Sequence, residues 1–171
     1  MIVFLASDVM LFSAFFTAYY LLRSVAADWP PDGIELDVLR AAVATAVLVA
    51  SSFTMIAVDR AIAAGQRALA RRWLIATVAL GAAFIANQIS EYASIEFAID
   101  DHTYGSVYWT LTGVHALHVG AGLGTLAMLF VRLVRAPDLT ATEPFAAATS
   151  MYWHMVDVVW IAVFVTIWIV R

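Results

Sequence analysis

The sequence predicts an all-α integral membrane bundle of five transmembrane helices, and three observations carry that prediction. Of 171 residues, 64% are hydrophobic and 13% charged. An average soluble domain has about 45–50% apolar and about 25% charged residues. So few charges cannot cover so much apolar surface in water, so lipid must solvate it. Five stretches have the roughly 20 mostly apolar residues that cross hydrocarbon as a helix. The connections between them alternate between acidic and arginine-bearing. Open strands are excluded, because unpaired backbone groups find no water in a bilayer.

The whole chain, residues 1–171, reads as one membrane domain. The first span, Ile2 to Leu22, begins almost at once, without the basic region and cleavage site of a signal peptide. It is expected to be a first spanning helix. Trp29-Pro30-Pro31 and Gly33 break the chain before the second span, Leu39 to Val58, which is rich in alanine and valine. The third runs from Trp73 to Tyr92, the fourth from about Ser106 to Phe130, and the fifth from about Phe145 to Val170. Pro137 and Pro144 bracket the last turn. Trp73, Trp109 and Trp168 are expected at the membrane interfaces, where indole rings anchor helices.

Charge gives the orientation. The second connection is expected to hold Arg60, Arg67, Arg71 and Arg72, and the fourth Arg132 and Arg135. The first holds Asp28, Asp32, Glu35 and Asp37, flanked by Arg23 and Arg40; the third holds Glu96, Asp100 and Asp101. The positive-inside rule then puts the N-terminus in the cytoplasm and the C-terminus outside. All nine basic residues are arginine, and the net charge is −4. No basic cluster interleaved with aromatics exists outside the short loops, so nucleic acid is not an expected partner. The chain has no cysteine, which excludes disulfides, thiolate metal sites and thiol catalysis.

Six acidic or histidine side chains fall inside the spans. Asp8 lies some two turns into the first; Glu91, with Gln88, lies toward the outer end of the third. His115 and His118 are near the middle of the fourth, and His154 and Asp157 straddle the middle of the fifth. A lone charge at mid-bilayer costs at least about 2.5–3.5 kcal/mol, so such groups face the bundle and find partners. The plain reading is interhelical hydrogen bonding that fixes the packing. A metal site is a second reading, because His115-x-x-His118 and His154-x-x-Asp157 each put two ligands on one helix face, but matching bridging glutamates are missing. Bis-histidine haem is a third, with Gly113, Gly120, Gly122 and Gly124 making room for a ring; the same glycines more simply permit close helix approach. Proton relay or lipid-headgroup binding is a fourth. No Ser-His-Asp or phosphate-loop pattern stands in a suitable setting.

Specific words in the sequence go further. FLASDVMLFSAFFTAYYLL (residues 4–22), NQISEY (87–92), HTYGSVYWTLTGVHALHVGAG (102–122) and YWHMVDVVWIAVF (152–164) together resemble cytochrome c oxidase subunit III. Their order, their spacing and the WPP loop also agree. The layout most resembles the short five-helix form of actinobacterial oxidases and quinol oxidases. The resemblance implies a non-catalytic subunit of a proton-pumping haem–copper oxidase in aerobic respiration, in a bacterial cell membrane. Its implied partners are catalytic subunit I, subunit II, phospholipids and, more widely, a larger respiratory supercomplex. Haem and copper would reside in the catalytic subunit, with none bound by this chain. Asp8, Glu91, His115, His118, His154 and Asp157 would support lipid binding and proton uptake, with His115 and His118 the expected counterparts of His154 and Asp157. The chain departs from the family in having Asp8 where mitochondrial-type subunits carry Glu, which weakens the choice of cytochrome c over quinol as electron donor. The two extra N-terminal helices of the seven-helix form have no counterpart, so another chain or lipid would supply the far wall of any lipid cleft. An accessory subunit of nitric oxide reductase and a stand-alone membrane carrier are the alternatives.

Overall fold

A computed structural model describes residues 1–34, 36–136 and 138–170; Glu35 and Pro137, named above, lie outside the described residues. These residues form five helices, each long and apolar enough to cross a membrane. They are α1 (Ile2–Val25), α2 (Val38–Ala63), α3 (Arg67–Tyr92), α4 (Thr103–Arg135) and α5 (Glu143–Phe164), and α5 widens into a π-helical segment, Val165–Val170. No strand occurs among the described residues.

Every helix except the first overruns its expected start. The apolar stretch marks the hydrocarbon, whereas the backbone bonds continue into the headgroup layer until a residue breaks them. The arginines show this. Arg67, Arg71 and Arg72 lie in the first turns of α3, and Arg60, Arg132 and Arg135 in the last turns of α2 and α4. They are helical, not loop, residues, and the α2–α3 connection shrinks to residues 64–66. Gly65 makes that turn: its φ of 69° suits glycine. Its N–H bonds the Ile62 carbonyl at 2.9 Å, and the Gln66 N–H bonds that of Ala61 at 2.8 Å. The two bonds form a Schellman cap. At the other starts, Asp37 accepts from the Arg40 N–H to cap α2, and His102 Nδ1 accepts from the Gly105 N–H at 2.7 Å to cap α4.

Helices α2, α3, α4 and α5 pack in a ring, each against two of the others, and α1 lies outside against α4 and α5. The centre of the ring holds Leu48, Met55, Leu74, Phe84, Leu111, Leu126 and Trp153, all essentially inaccessible. Trp153 is a wedge between α3 and α4. A methyl group on Gly81 would sit 2.7 Å from its ring, and one on Gly122 2.8 Å. The expectation that four glycines of α4 permit close approach holds for Gly122 alone: Gly113, Gly120 and Gly124 face open space. Trp168 and Trp73 differ in burial. Trp168 is buried, 2% exposed, against Tyr108, Trp160 and Phe164, whereas Trp73 is 40% exposed.

Candidate functional site: polar layers within the bundle

The polar side chains inside the helices fall into three groups. The largest joins α2 to α5. Ser150 Oγ donates to Asp59 at 2.5 Å. Ser52 Oγ lies 3.0 Å from His154 Nδ1 and donates to Asp157 Oδ2 in a short bond. Trp153 Nε1 donates to Ser51 Oγ, and Trp160 Nε1 to Thr45 Oγ1, both at 2.9 Å. As one helix rises the other descends, so these are successive rungs between antiparallel helices. Thr45, Ser52 and Asp59 are seven residues apart, which keeps them on one face. The rungs span about 21 Å of α2 at 1.5 Å per residue.

The central rung brings together serine, histidine and aspartate, but not as a hydrolytic triad. There histidine stands between the other two, taking the serine proton while aspartate holds its second nitrogen. Here serine stands in the middle. Its oxygen bridges Asp157 Oδ2 and His154 Nδ1. The arrangement orients groups and fixes the register of two helices; it does not activate a nucleophile. The expected counterparts, His115 and His118, take no part: the fifth helix finds its partner in Ser52 of α2.

The second group joins α1 to α4. His118 Nε2 lies 3.8 Å from Asp8 Oδ1, and its Nδ1 is 2.7 Å from the Val114 carbonyl. The ring of Phe12 lies 5.1 Å from that of His118. Tyr152 donates to the His118 backbone carbonyl at 3.1 Å, linking the pair to α5. His115 is fully buried among rings, with Trp160 at 4.8 Å, Phe84 at 6.0 Å and Phe12 at 6.3 Å. Neither of its nitrogens has a hydrogen-bond partner. His115 and His118 therefore serve different surroundings despite sharing a helix face.

The third group lies at the end of the bundle that carries the acidic connections. Glu91 is 5% exposed and receives one long bond, 3.4 Å, from Tyr108. Arg40 of α2 binds Asn87 of α3 twice, through the side-chain oxygen at 3.0 Å and the backbone carbonyl at 3.2 Å. Glu91, Arg40, His102 and Asp37 line a cavity of about 520 Å³. Gln88, 2% exposed, has an unpaired Nε2 nearby in sequence.

The six expected residues are thus divided among three places rather than gathered in one layer. Among the described residues, no three His, Cys, Asp or Glu side chains gather so as to hold a metal ion. The residues therefore do not fit the metal reading, and His154, turned to Ser52 of α2, does not face His115 or His118 as haem ligation across facing helices requires. Sequence reasoning missed Thr45, Ser52, Asp59 and Arg40. The first three carried a signal in their seven-residue spacing within an apolar helix.

The comparisons with known proteins agree with this architecture. The profile of the family described as cytochrome c oxidase subunit III matches residues 1–170. A Nocardia farcinica protein named "Probable cytochrome c oxidase subunit 3" is 40% identical over 174 residues, covering 99% of this chain and 86% of its own. The "Cytochrome c oxidase subunit 3" of Synechocystis is 35% identical over 170 residues, covering 98% and 73%. That of Thermostichus vulcanus is 32% identical over 170 residues, covering 99% and 85%. The match runs through all five helices and all three polar groups, and on that basis the chain belongs to the cytochrome c oxidase subunit III family.

Proposed function

We propose that this chain is the non-catalytic subunit III of a proton-translocating haem–copper oxidase in aerobic respiration. It sits in a bacterial plasma membrane with its N-terminus inside, beside catalytic subunit I, subunit II and bound phospholipids. The observation that carries the proposal is agreement over nearly the whole chain with relatives named as subunit 3 of cytochrome c oxidase. The interior is consistent with a packing subunit: Ser52, His154 and Asp157 join α2 to α5, and Asp8 and His118 join α1 to α4. Haem and copper, held by the catalytic subunit, supply the oxygen chemistry. The relatives' names favour the oxidase over a nitric oxide reductase accessory role.

In this reading Asp8, Glu91, His115, His118, His154 and Asp157 form the polar interior that holds lipid and sustains proton uptake. Asp8→Ala is then expected to leave assembly intact and to shorten the working life of the oxidase during turnover. Inactivation at the wild-type rate would make Asp8 a packing residue only. The reading as a whole is tested by purifying a tagged chain in mild detergent. Visible haem bands and a haem-bearing subunit should co-purify. A colourless, lone five-helix protein would overturn the proposal, and transport by that protein in liposomes would establish a carrier.

A further inference from the structure

The central α2–α5 rung has a side that this chain leaves open. His154 uses Nδ1 on Ser52, and its Nε2 has no partner among the described residues. Nor is Nε2 sealed in the core, because the histidine is half-buried. With Nδ1 engaged on Ser52, Nε2 is the ring nitrogen left to bond something beyond this chain. Around it runs an exposed stripe of α5. Met151, Val158 and Ile161 lie 45%, 66% and 43% exposed, at spacings that put them on the helix face of His154. The apolar members are at home in lipid, but the histidine is not. It stands close to the midpoint of a 28-residue span, where hydrocarbon offers no hydrogen-bond partner. Beyond α5, α1 holds the π-helical segment, through Tyr20 on Thr166 and Arg23 on the Val170 carbonyl.

At the arginine-bearing end of the bundle, a cavity of about 410 Å³ lies between α2 and α5 and shares Met151 with this stripe. Asp59 and Glu143 line it beside Ser150, with small residues Ala63 and Ala147 exposed at its wall. Two carboxylates in a cleft at the end of the membrane suit a cationic side chain. Small residues there let another helix come close.

We infer that the outward face of α5 around His154, with the adjoining α2–α5 cavity, is where a transmembrane helix of another subunit of the oxidase docks. The partner helix brings a polar side chain that hydrogen-bonds His154 Nε2 at mid-membrane. It brings an arginine or lysine to Asp59 and Glu143 at the arginine-bearing end. The partner's identity as an oxidase subunit rests on the function proposed above; the location of the docking face rests on the side chains of α2 and α5.

Photo-cross-linking in the intact complex tests this. p-Benzoylphenylalanine replaces Val158 or Met151, both exposed, and in a control replaces Leu117, 73% exposed on α4. The complex is irradiated in native membranes, purified through the tag and read by mass spectrometry. Adducts of Val158 and Met151 with a membrane helix of another oxidase subunit are expected, well above the yield at Leu117. If the haem-bearing complex is recovered while Val158 and Met151 capture only lipid, or only a second copy of this chain, the docking face is wrong and the oxidase assignment stands. If the unmodified tagged chain brings down no haem-bearing subunit, both are overturned.

Discussion

Single residues set the packing here, and Trp153 shows how. Its ring fills the space that Gly81 and Gly122 leave, and its N–H is held by Ser51. Gly122→Val puts carbon where the ring already lies. Overpacking of this kind costs about 1–3 kcal/mol, so the unfolding midpoint in detergent should fall. Gly120→Ala, two residues away, meets nothing within 4 Å. It should leave the midpoint unchanged or raise it, since alanine favours helix over glycine by up to ~1 kcal/mol. Equal effects of the two changes would contradict the wedge. Ser52 supplies a second contrast. Ser52→Ala strips the partner from His154 Nδ1 and from Asp157 at once. Leaving buried polar groups unpaired costs roughly 1–3 kcal/mol. An exposed, self-satisfied serine such as Ser13, bonded to the Val9 carbonyl, should be replaced by alanine at little cost. Comparing unfolding midpoints of the two alanine variants checks the assignment. The importance of His154 and Asp157 was legible in the sequence because charges in apolar helices need partners. The partner was not legible: Ser52 is an ordinary residue whose role depends on how α2 and α5 are aligned.

The helices differ in how firmly the bundle holds them. Buried positions in α1 are Asp8, Phe12 and Tyr19, whereas α4 buries eleven residues. Helix α1 touches the rest along one narrow line, pinned midway by Phe12 against His118 and at its end by Arg23 on the Val170 carbonyl. Phe12→Ala removes the middle pin and leaves a cavity against His115 and His118. A buried Phe→Ala change costs about 3–5 kcal/mol. The expected result is faster amide exchange along α1 with protection in α2 and α4 unchanged. Uniform loosening of all five helices would show that α1 is integral to the bundle. Hydropathy found each helix because lipid imposes a length and a composition. It misjudged the ends because water-exposed turns obey capping rules instead. Gly65 and His102 ended or began helices by local bonds to which hydropathy is blind.

At the scale of the whole molecule the two ends differ in charge, and that difference predicts an orientation in the membrane. One end carries Arg60, Arg67, Arg71, Arg72, Arg132 and Arg135; the other carries Glu96, Asp100 and Asp101, with Asp28, Asp32 and Asp37. Placing the arginines in helical turns rather than loops leaves this asymmetry intact, because the turns still project beyond the apolar stretch. Arg67 also ties the two arginine-bearing connections together by donating to the Ala136 carbonyl at 2.6 Å. Retention of arginine on the cytoplasmic side then predicts the topology. The native chain has no cysteine, so a single introduced thiol reports its own location without background. In intact cells, Asp100→Cys should react with a membrane-impermeant maleimide. Gln66→Cys, in the α2–α3 turn, should react only after the membrane is opened. Both positions are exposed, so burial cannot mimic protection. The reverse labelling pattern would invert the molecule. The cavity bearing Asp59 and Glu143 would then face outward.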